Sequence, residues 1–378
     1  MSRKKIERIR FLAVVVCTGA ALALATPVYA KTIKWLLQSA WTAGDFHQKN
    51  PEGFANKVSE MTGGRFKIRV MAAGSVVPAF ELLEAVHKEI LDAAHVWPGY
   101  WVGKHPAATL FGSIPGGPFG MNSEDFLGWL YFGGGLELYN ELLQKELKMN
   151  VVAFPSYGET PEPQGWFPKP LKSLKDFKGL KFRAAGMSAE VFKEMGMSVV
   201  SLPGGEIVPA LERKVIDAAE YGDPSSDMTL GFQDVRKYYH LPGMHQPTGM
   251  MEILINKKRW DELPDDLKAV VRYACMAEAM EFVIRMLDQN SKDAKKLITE
   301  HGVTIVQTPR EILIGVLKGW DKVAAKHVAE NPFFAKVYAS QKKWAERIVP
   351  YRRVAHPDYA IAADYYWGKI NPYKVMKP

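Results

Sequence analysis

The sequence predicts a two-lobed α/β protein with a long bracing helix and an aromatic, helical C-terminal extension. Three observations carry that prediction. Strand and helix signals alternate through the first two thirds of the chain, one strand–helix–strand segment recurs, and an unbroken helical pattern then runs from Pro264 to about Glu300. The 378 residues are 47% hydrophobic and 24% charged. That is enough apolar material for two cores, and it is unlike a disordered or collagen-like chain.

The chain opens on Arg3, Lys4, Lys5, Arg8 and Arg10, ahead of an apolar run from Phe11 to Ala25 and the small residues Val28 and Ala30. This is the pattern of a signal peptide over residues 1–30, with cleavage expected between Ala30 and Lys31. The apolar run is shorter than the ~20 residues of a membrane-spanning helix. Cleavage removes five positive charges and one negative, so a net charge of +8 becomes +4 on 348 residues. The remaining Lys and Arg are interleaved with Asp and Glu, which argues against a nucleic-acid partner. Cys275 is then the only cysteine, so no intramolecular disulfide is available.

The first lobe is expected over residues 31–155. A strand at Thr32–Ser39 is followed by a helix from Phe46 to Met61 that stops at Gly63-Gly64. Alternating Phe66, Ile68 and Val70 mark a half-buried strand at Arg65–Met71. A helix from about Pro78 to Glu89 and a strand at Leu91–Trp97 complete a βαβαβ series, which predicts a parallel sheet with right-handed crossovers.

The second lobe, expected over 156–250, repeats the pattern. Glu81–Val96 aligns without a gap on Glu206–Tyr221, and each segment follows a strand that ends in glycine, Phe66–Gly74 and Leu180–Gly186. In open α/β sheets ligands lie beyond the carboxyl ends of the strands, so His95 and Glu220, each just after Asp-Ala-Ala, are expected to face a cleft between the lobes.

Residues 251–330 are expected to hold crossing strands and the long helix, which at 1.5 Å per residue spans roughly 50–55 Å and so reaches across both lobes. Residues 331–378 form the extension. Phe333, Phe334, Tyr338, Trp344, Tyr351, Tyr359, Tyr365, Tyr366 and Trp367 make it too apolar for a loose tail, and it is expected to pack on its own subunit or on a partner.

Nucleotide-binding, zinc-protease and serine-hydrolase motifs are absent from the sequence, and Pro242-Gly243 between His240 and His245 argues against a helical metal pair. An exported two-lobed protein of this kind suggests a solute receptor that closes about a hinge.

Gly165-Trp166-Phe167, the run Leu174 to Arg183, the run Pro203 to Glu212 and the run Ile216 to Tyr221 resemble the solute-binding proteins of tripartite ATP-independent periplasmic (TRAP) transporters. The run Tyr100 to Lys104, Leu230-Gly231-Phe232, Tyr238, Pro242-Gly243 and the aromatic extension are similar to the branch that binds 2-oxo acids such as pyruvate with a cation. The resemblance implies a periplasmic binding protein fold. It also implies a receptor, not an enzyme, that works in the periplasm, hands a small carboxylate to TRAP membrane permease subunits, and forms a homodimer by exchanging its C-terminal helix.

It further implies that Arg183 grips the ligand carboxylate with a bidentate fork, and that Glu220 and the aromatic, carbonyl-bearing Tyr221 hold the cation. The stretch before Gly165 is one residue shorter than in the branch, so either Glu162 or Gln164 stands for its glutamine. His245-Gln246 stands where the branch has an aromatic residue and a glutamate. Glu162 and Gln246 join the candidate cation ligands, and such oxygen donors favour Ca2+ or Na+. Gln164 and His245 join the candidate ligand contacts, with Gln38, Ser39, Trp41, His95, Trp97 and Tyr100 from the first lobe. The competing reading is an exported sensor or a lyase-like, carboxylate-processing enzyme on the same scaffold, with His95 or His245 as base.

Overall fold

Eleven strands occur among residues 32–368, the part of the chain that this computed structural model describes; the export segment expected over 1–30 and residues 369–378 lie outside it. In chain order they are β1 (Ile33–Ser39), β2 (Phe66–Met71), β3 (Ala93–Val96), β4 (Val151–Gly158), β5 (Gly165–Phe167), β6 (Lys181–Arg183), β7 (Ser198–Val200), β8 (Ala218–Ala219), β9 (Tyr238–Leu241), β10 (Met250–Asn256) and β11 (Thr304–Gln307). They form two sheets, ordered β2-β1-β3-β10-β4 and β11-β9-β5-β8-β6-β7, one for each lobe.

The sheets are mixed, where the βαβ pattern predicts a parallel one. β1 and β3 are parallel, as are β6 with β7 and with β8. β10, however, lies antiparallel between β3 and β4, and β5 lies antiparallel to β8 and β9. β10 returns to the first sheet from beyond the second, so no local crossover helix dictates its direction. Every one of its residues is buried, which removes the alternation that marks a half-exposed strand. The lobe boundary expected between 155 and 156 falls inside β4.

The recurrent segment has a shared backbone geometry. In the first copy a helix, Leu82–His87, ends in a turn whose Glu89 has φ 59°, with Ile90 and Leu91 N–H both donating to the Ala85 carbonyl. In the second, the helix Gly204–Glu212 ends with Lys214 at φ 58°, and Val215 and Ile216 N–H donate to the Ala210 carbonyl. Asp92 and Asp217 then play one role: the carboxylate accepts the N–H of Leu36 (2.8 Å) or Lys181 (2.9 Å), fastening each turn to the strand that lies parallel beside β3 or β8. Both aspartates therefore set where β3 and β8 begin, and hence where their carboxyl ends stop.

The long helix, Asp265–Thr299, has 35 residues and is about 52 Å long. It packs along β4 and the helix Lys49–Met61 of the first lobe and on the helix Pro224–Leu230 of the second. Lys57 Nζ lies 2.6 Å from Glu278, and the Asn290 side-chain oxygen accepts the Ser225 N–H at 3.0 Å, so one rod is tied to both lobes. No helix among the described residues is long and apolar enough to cross a membrane. The extension divides in two. Pro332–Ala355 buries Phe333, Phe334, Val337, Gln341 and Ala345 on its own subunit, whereas Tyr359–Trp367 buries no residue.

β10 also carries Glu252 into the first-lobe core. Tyr139 Oη (2.9 Å) and Trp101 Nε1 (3.3 Å) donate to its Oε1, while Oε2 has no partner. Burial pushes this carboxyl up to about 8, against the lowering effect of the two hydrogen bonds. The folded chain therefore keeps a proton that the unfolded chain releases near the ordinary value of 4.5, and raising the pH from there through about 8 costs stability. Glu252→Gln removes the titration. The fall in melting temperature of the parent from pH 5 to pH 9 is expected to be shallower in this variant by up to about 1.4 kcal/mol of stability per pH unit; parallel slopes would refute it.

Candidate functional site

Arg183 ends β6 and Glu220 follows β8, its parallel neighbour, so both side chains leave the second sheet at its carboxyl edge. Each is 1% exposed. Arg183 Nη1 donates to the Glu220 carbonyl oxygen (2.8 Å) and to Glu220 Oε1 (3.0 Å), and Nε donates to the Leu202 carbonyl (3.0 Å). Ala185 N–H adds a bond to the same Oε1 at 2.9 Å. Nη1 is fully used, so the two-pronged fork expected for a carboxylate is half engaged by the protein; among the described residues Nη2 makes no hydrogen bond. Glu220 Oε2 is likewise unpartnered. The Tyr221 ring lies 5.7 Å from the guanidinium carbon, and its hydroxyl donates to Asp45 Oδ2 at 2.6 Å.

These groups open onto a small cavity between the lobes. Trp41, Trp97 and Tyr100 wall it from the first lobe, and Arg183, Glu220 and Tyr221 from the second. Glu162 and Gln246 also reach it. Trp97 Nε1 is buried without a partner, and the Tyr100 hydroxyl makes no hydrogen bond among the described residues. Glu162 Oε2 and Gln246 Oε1 are buried and unpartnered as well, while the backbone N–H of Glu162 donates to the Gln246 carbonyl at 3.1 Å.

Ligand atoms of Glu162, Glu220 and His245 lie within 4.8 Å of one another. His245 is fully buried with both ring nitrogens unpartnered, and Nε2 is 3.4 Å from Glu162. Burial and the Arg183 charge push this imidazole down to about 3, so the contact is that of a neutral ring and not an ion pair. Burial raises Glu220, with Arg183 and the Ala185 N–H opposing. Burial and the Glu220 charge hold Glu162 and Glu159 well above the usual carboxylate range. The oxygen donors without hydrogen-bond partners suit a hard cation, to which the neutral imidazole beside them adds nothing, since such ions are bound by oxygen.

Other expected contacts are occupied by the protein itself. Gln38 donates to the Val77 carbonyl (2.7 Å) and accepts from Val76 and Val77 N–H, so it holds the loop after β2 and does not line the cavity. Ser39 Oγ donates to Gln48 Oε1 and accepts the Trp41 N–H. His95 takes the Trp41 indole N–H at Nδ1 (2.6 Å) and meets Ser156 Oγ at Nε2 (3.0 Å); it positions Trp41 from behind. Of the alternatives Glu162 and Gln164, Glu162 lines the cavity; Gln164 is buried away from it with its amide unpartnered.

The structure adds His47, Glu159 and Met251 to the lining, and Asp45 behind it. Asp45 joins the lobes: Oδ2 accepts Tyr221 Oη and Oδ1 accepts Ser226 Oγ at 2.8 Å. The only sequence signals for these were an Asp-Phe-His at a helix start and a glutamate closing the β4 run.

Two α/β lobes shut over a small, polar, enclosed space define a solute-binding receptor. Residues 37–331 match the bacterial extracellular solute-binding proteins of family 7, DctP, and the chain belongs to that family. It is 32% identical over 327 residues to a monocarboxylate 2-oxoacid-binding periplasmic protein of Nostoc sp. PCC 7120, covering 86% of this chain and 88% of the relative. A TRAP transporter solute-binding protein of Bordetella bronchiseptica superposes with a TM-score of 0.82 at 30% identity, over 89% of this chain and 97% of the other. That protein was crystallised as a mixed-occupancy dimer, with copurified calcium and picolinate in one site and the other apo. A periplasmic TRAP solute-binding protein of Pseudoalteromonas atlantica, with bound sodium and pyruvate, superposes at 0.80 with 29% identity, over 88% and 99%.

The lobes meet closely at Gly186, which has φ 60° and whose absent Cβ would lie 2.5 Å from Trp97 Cη2. Gly186→Ala is expected to prop the cleft open, raising the radius of gyration in small-angle scattering. Strain at positive φ alone would lower the melting temperature by the equivalent of about 1–2 kcal/mol and leave the scattering unchanged.

Proposed function

We propose that the chain is a periplasmic receptor of a TRAP transporter, without catalytic activity of its own, that closes on a small 2-oxo or 2-hydroxy carboxylate together with calcium or sodium and delivers it to the membrane permease subunits. The observation that carries this reading is the half-satisfied Arg183–Glu220 pair, which turns one guanidinium nitrogen and one carboxylate oxygen into a closed cavity.

The ligand carboxylate accepts from Arg183 Nη2, the Tyr100 hydroxyl and Trp97 Nε1, three donors without a protein acceptor. Glu220, Glu162 and Gln246 would hold the cation through their unpartnered oxygens, with the Tyr221 carbonyl as a further donor. When bound, the ion supplies positive charge that offsets the carboxylates and draws a 2-oxo or 2-hydroxy oxygen toward it. Trp41, Trp97 and Tyr221 exclude water, which strengthens each of these interactions. His245 does not line the cavity and its imidazole, pushed down to about 3, is a weak base, while His95 is held behind Trp41, which disfavours the lyase-like reading.

Calorimetry with pyruvate is expected to show binding in the presence of calcium or sodium and a loss of affinity with chelator in sodium-free buffer. Tyr100→Phe is expected to weaken binding about tenfold and Arg183→Gln by a hundredfold or more, since a hydrogen bond to a charged group is worth about 1.5–3 kcal/mol and the arginine also loses its charge. Cation-independent affinity, full binding by Arg183→Gln, or conversion of pyruvate followed by NMR would overturn the reading.

We also infer a homodimer. The long helix exposes Tyr273, Met276, Met280, Ile284 and Leu287 at spacings of three or four residues, the seam of a helix that packs against another. Tyr359, Ile361, Tyr365, Tyr366 and Trp367 on the terminal helix are 71–81% exposed. A second copy that receives this helix covers both surfaces. Sedimentation equilibrium is expected to give a dimer, and removal of residues 356–378 together with Met280→Lys a monomer. A parent chain that sediments as a monomer at micromolar concentration sinks the inference.

A further inference from the structure

A second, small chamber adjoins the cavity and shares His47, Glu159, Glu162 and Met251 with it. Tyr157, Thr160 and Asp223 complete its polar wall. Glu159 is 3% exposed and neither of its carboxylate oxygens has a partner. Its backbone is pinned on both sides: its N–H donates to the Gly249 carbonyl at 3.0 Å and its carbonyl accepts Ser123 Oγ. Gly249 leaves room for the side chain, since a Cβ there would lie 2.7 Å from Glu159 Oε2. Asp223, also 3% exposed, uses Oδ1 to cap Ser225 and Ser226 and leaves Oδ2 unpartnered.

No Lys or Arg lines this chamber, and Asp45 nearby is already satisfied by Tyr221, Ser226 and the His47 N–H. A ligand carboxylate answers Arg183, and a cation answers Glu220 and Glu162. Glu159 and Asp223 are then left with three unpartnered acceptor oxygens and, in this chamber, the Thr160 hydroxyl as a free donor among the described residues. A hydrocarbon tail would strip water from them and return nothing. An ammonium group returns both hydrogen bonds and charge, and the Tyr157 and His47 rings, 6.0 Å apart and stacked, offer it π faces.

We propose that the ligand is a zwitterion, a 2-oxo or 2-hydroxy acid whose far end bears an ammonium group received by Glu159 and Asp223. This rests on the carboxylate-receptor reading above. Three acids of nearly one shape test it by calorimetry with calcium present: 4-amino-2-hydroxybutanoate, 2,4-dihydroxybutanoate and 2-hydroxypentanoate, ending in NH3+, OH and CH3, with pyruvate as reference. The amino acid is expected to bind at least about tenfold more tightly than either neutral acid. Glu159→Gln is expected to bring that ratio to within about twofold, and Asp223→Asn, which keeps the helix cap, to lower it in the same direction. The readout is a ratio between ligands of one shape, so a general loss of fold affects both alike. A neutral acid that binds as tightly as the amino acid, or a preference that survives in Glu159→Gln, overturns the proposal and leaves the receptor reading intact if pyruvate binds. Failure of all four acids to bind removes the receptor reading and this inference with it.

Discussion

The buried pair of Arg183 and Glu220 is the constraint on which the rest of the site depends. Bringing two charges out of water costs several kcal/mol per ion, and their attraction repays this only where hydrogen bonds satisfy the remaining atoms. Here the protein provides the Leu202 carbonyl, the Glu220 carbonyl and the Ala185 N–H. It stops there, leaving Nη2 and Oε2 to the cavity. The adjacency of β6 and β8 fixes the pair in place, since a one-residue slip of either strand would turn one of the two side chains to the other face.

The turns that start β3 and β8 were legible in the sequence because they are written twice, but the strand beside each was not, since the repeat matches β2 with β6 whereas β3 lies beside β1. The alignment of Glu81–Val96 on Glu206–Tyr221 corresponds to two turns with matching positive φ at Glu89 and Lys214 and matching aspartate fasteners at Asp92 and Asp217. The similarity therefore reflects one local solution to ending a helix and starting a strand, used in both lobes. The long helix was legible as well, because a run of helical periodicity with an acidic first turn has few alternatives. What the sequence did not disclose was strand direction. β5 has three residues and β10 no polar alternation, and their antiparallel placement is decided by where the chain returns in space, which local periodicity does not encode.

The site divides along a similar line. Arg183, Glu220 and Tyr221 stand at strand ends, where topology alone points them at the cleft, and the structure places all three on the cavity. Trp41, Trp97 and Tyr100 reach it also. Gln38, Ser39 and His95 have the same kind of address, but their polar atoms find nearer partners in Val77, Gln48, Trp41 and Ser156. Residue type and strand position cannot distinguish a side chain that meets a ligand from one that holds its neighbour. Asp45, His47 and Glu159 escaped notice for the opposite reason: they sit on a helix approach and at the end of a strand, with nothing local to mark them, and become important only when Tyr221 and Asp223 come across from the second lobe.

The charges then explain why such a receptor should close around a guest. Glu159, Glu162 and Glu220 are each raised by burial, and the first two also by Glu220, so the shut cleft opposes their ionised forms. In an opened cleft water solvates them and that opposition falls away. A guest that brings positive charge is worth far more in the shut form than in the open one, and an equilibrium between forms moves by that difference in affinity. Asp45, bonded to Tyr221 and Ser226 across the lobes, adds favourable contacts to closure without choosing the ligand. On the proposed reading, selectivity rests with the carboxylates, which make a guest without positive charge a poor reason for the lobes to meet.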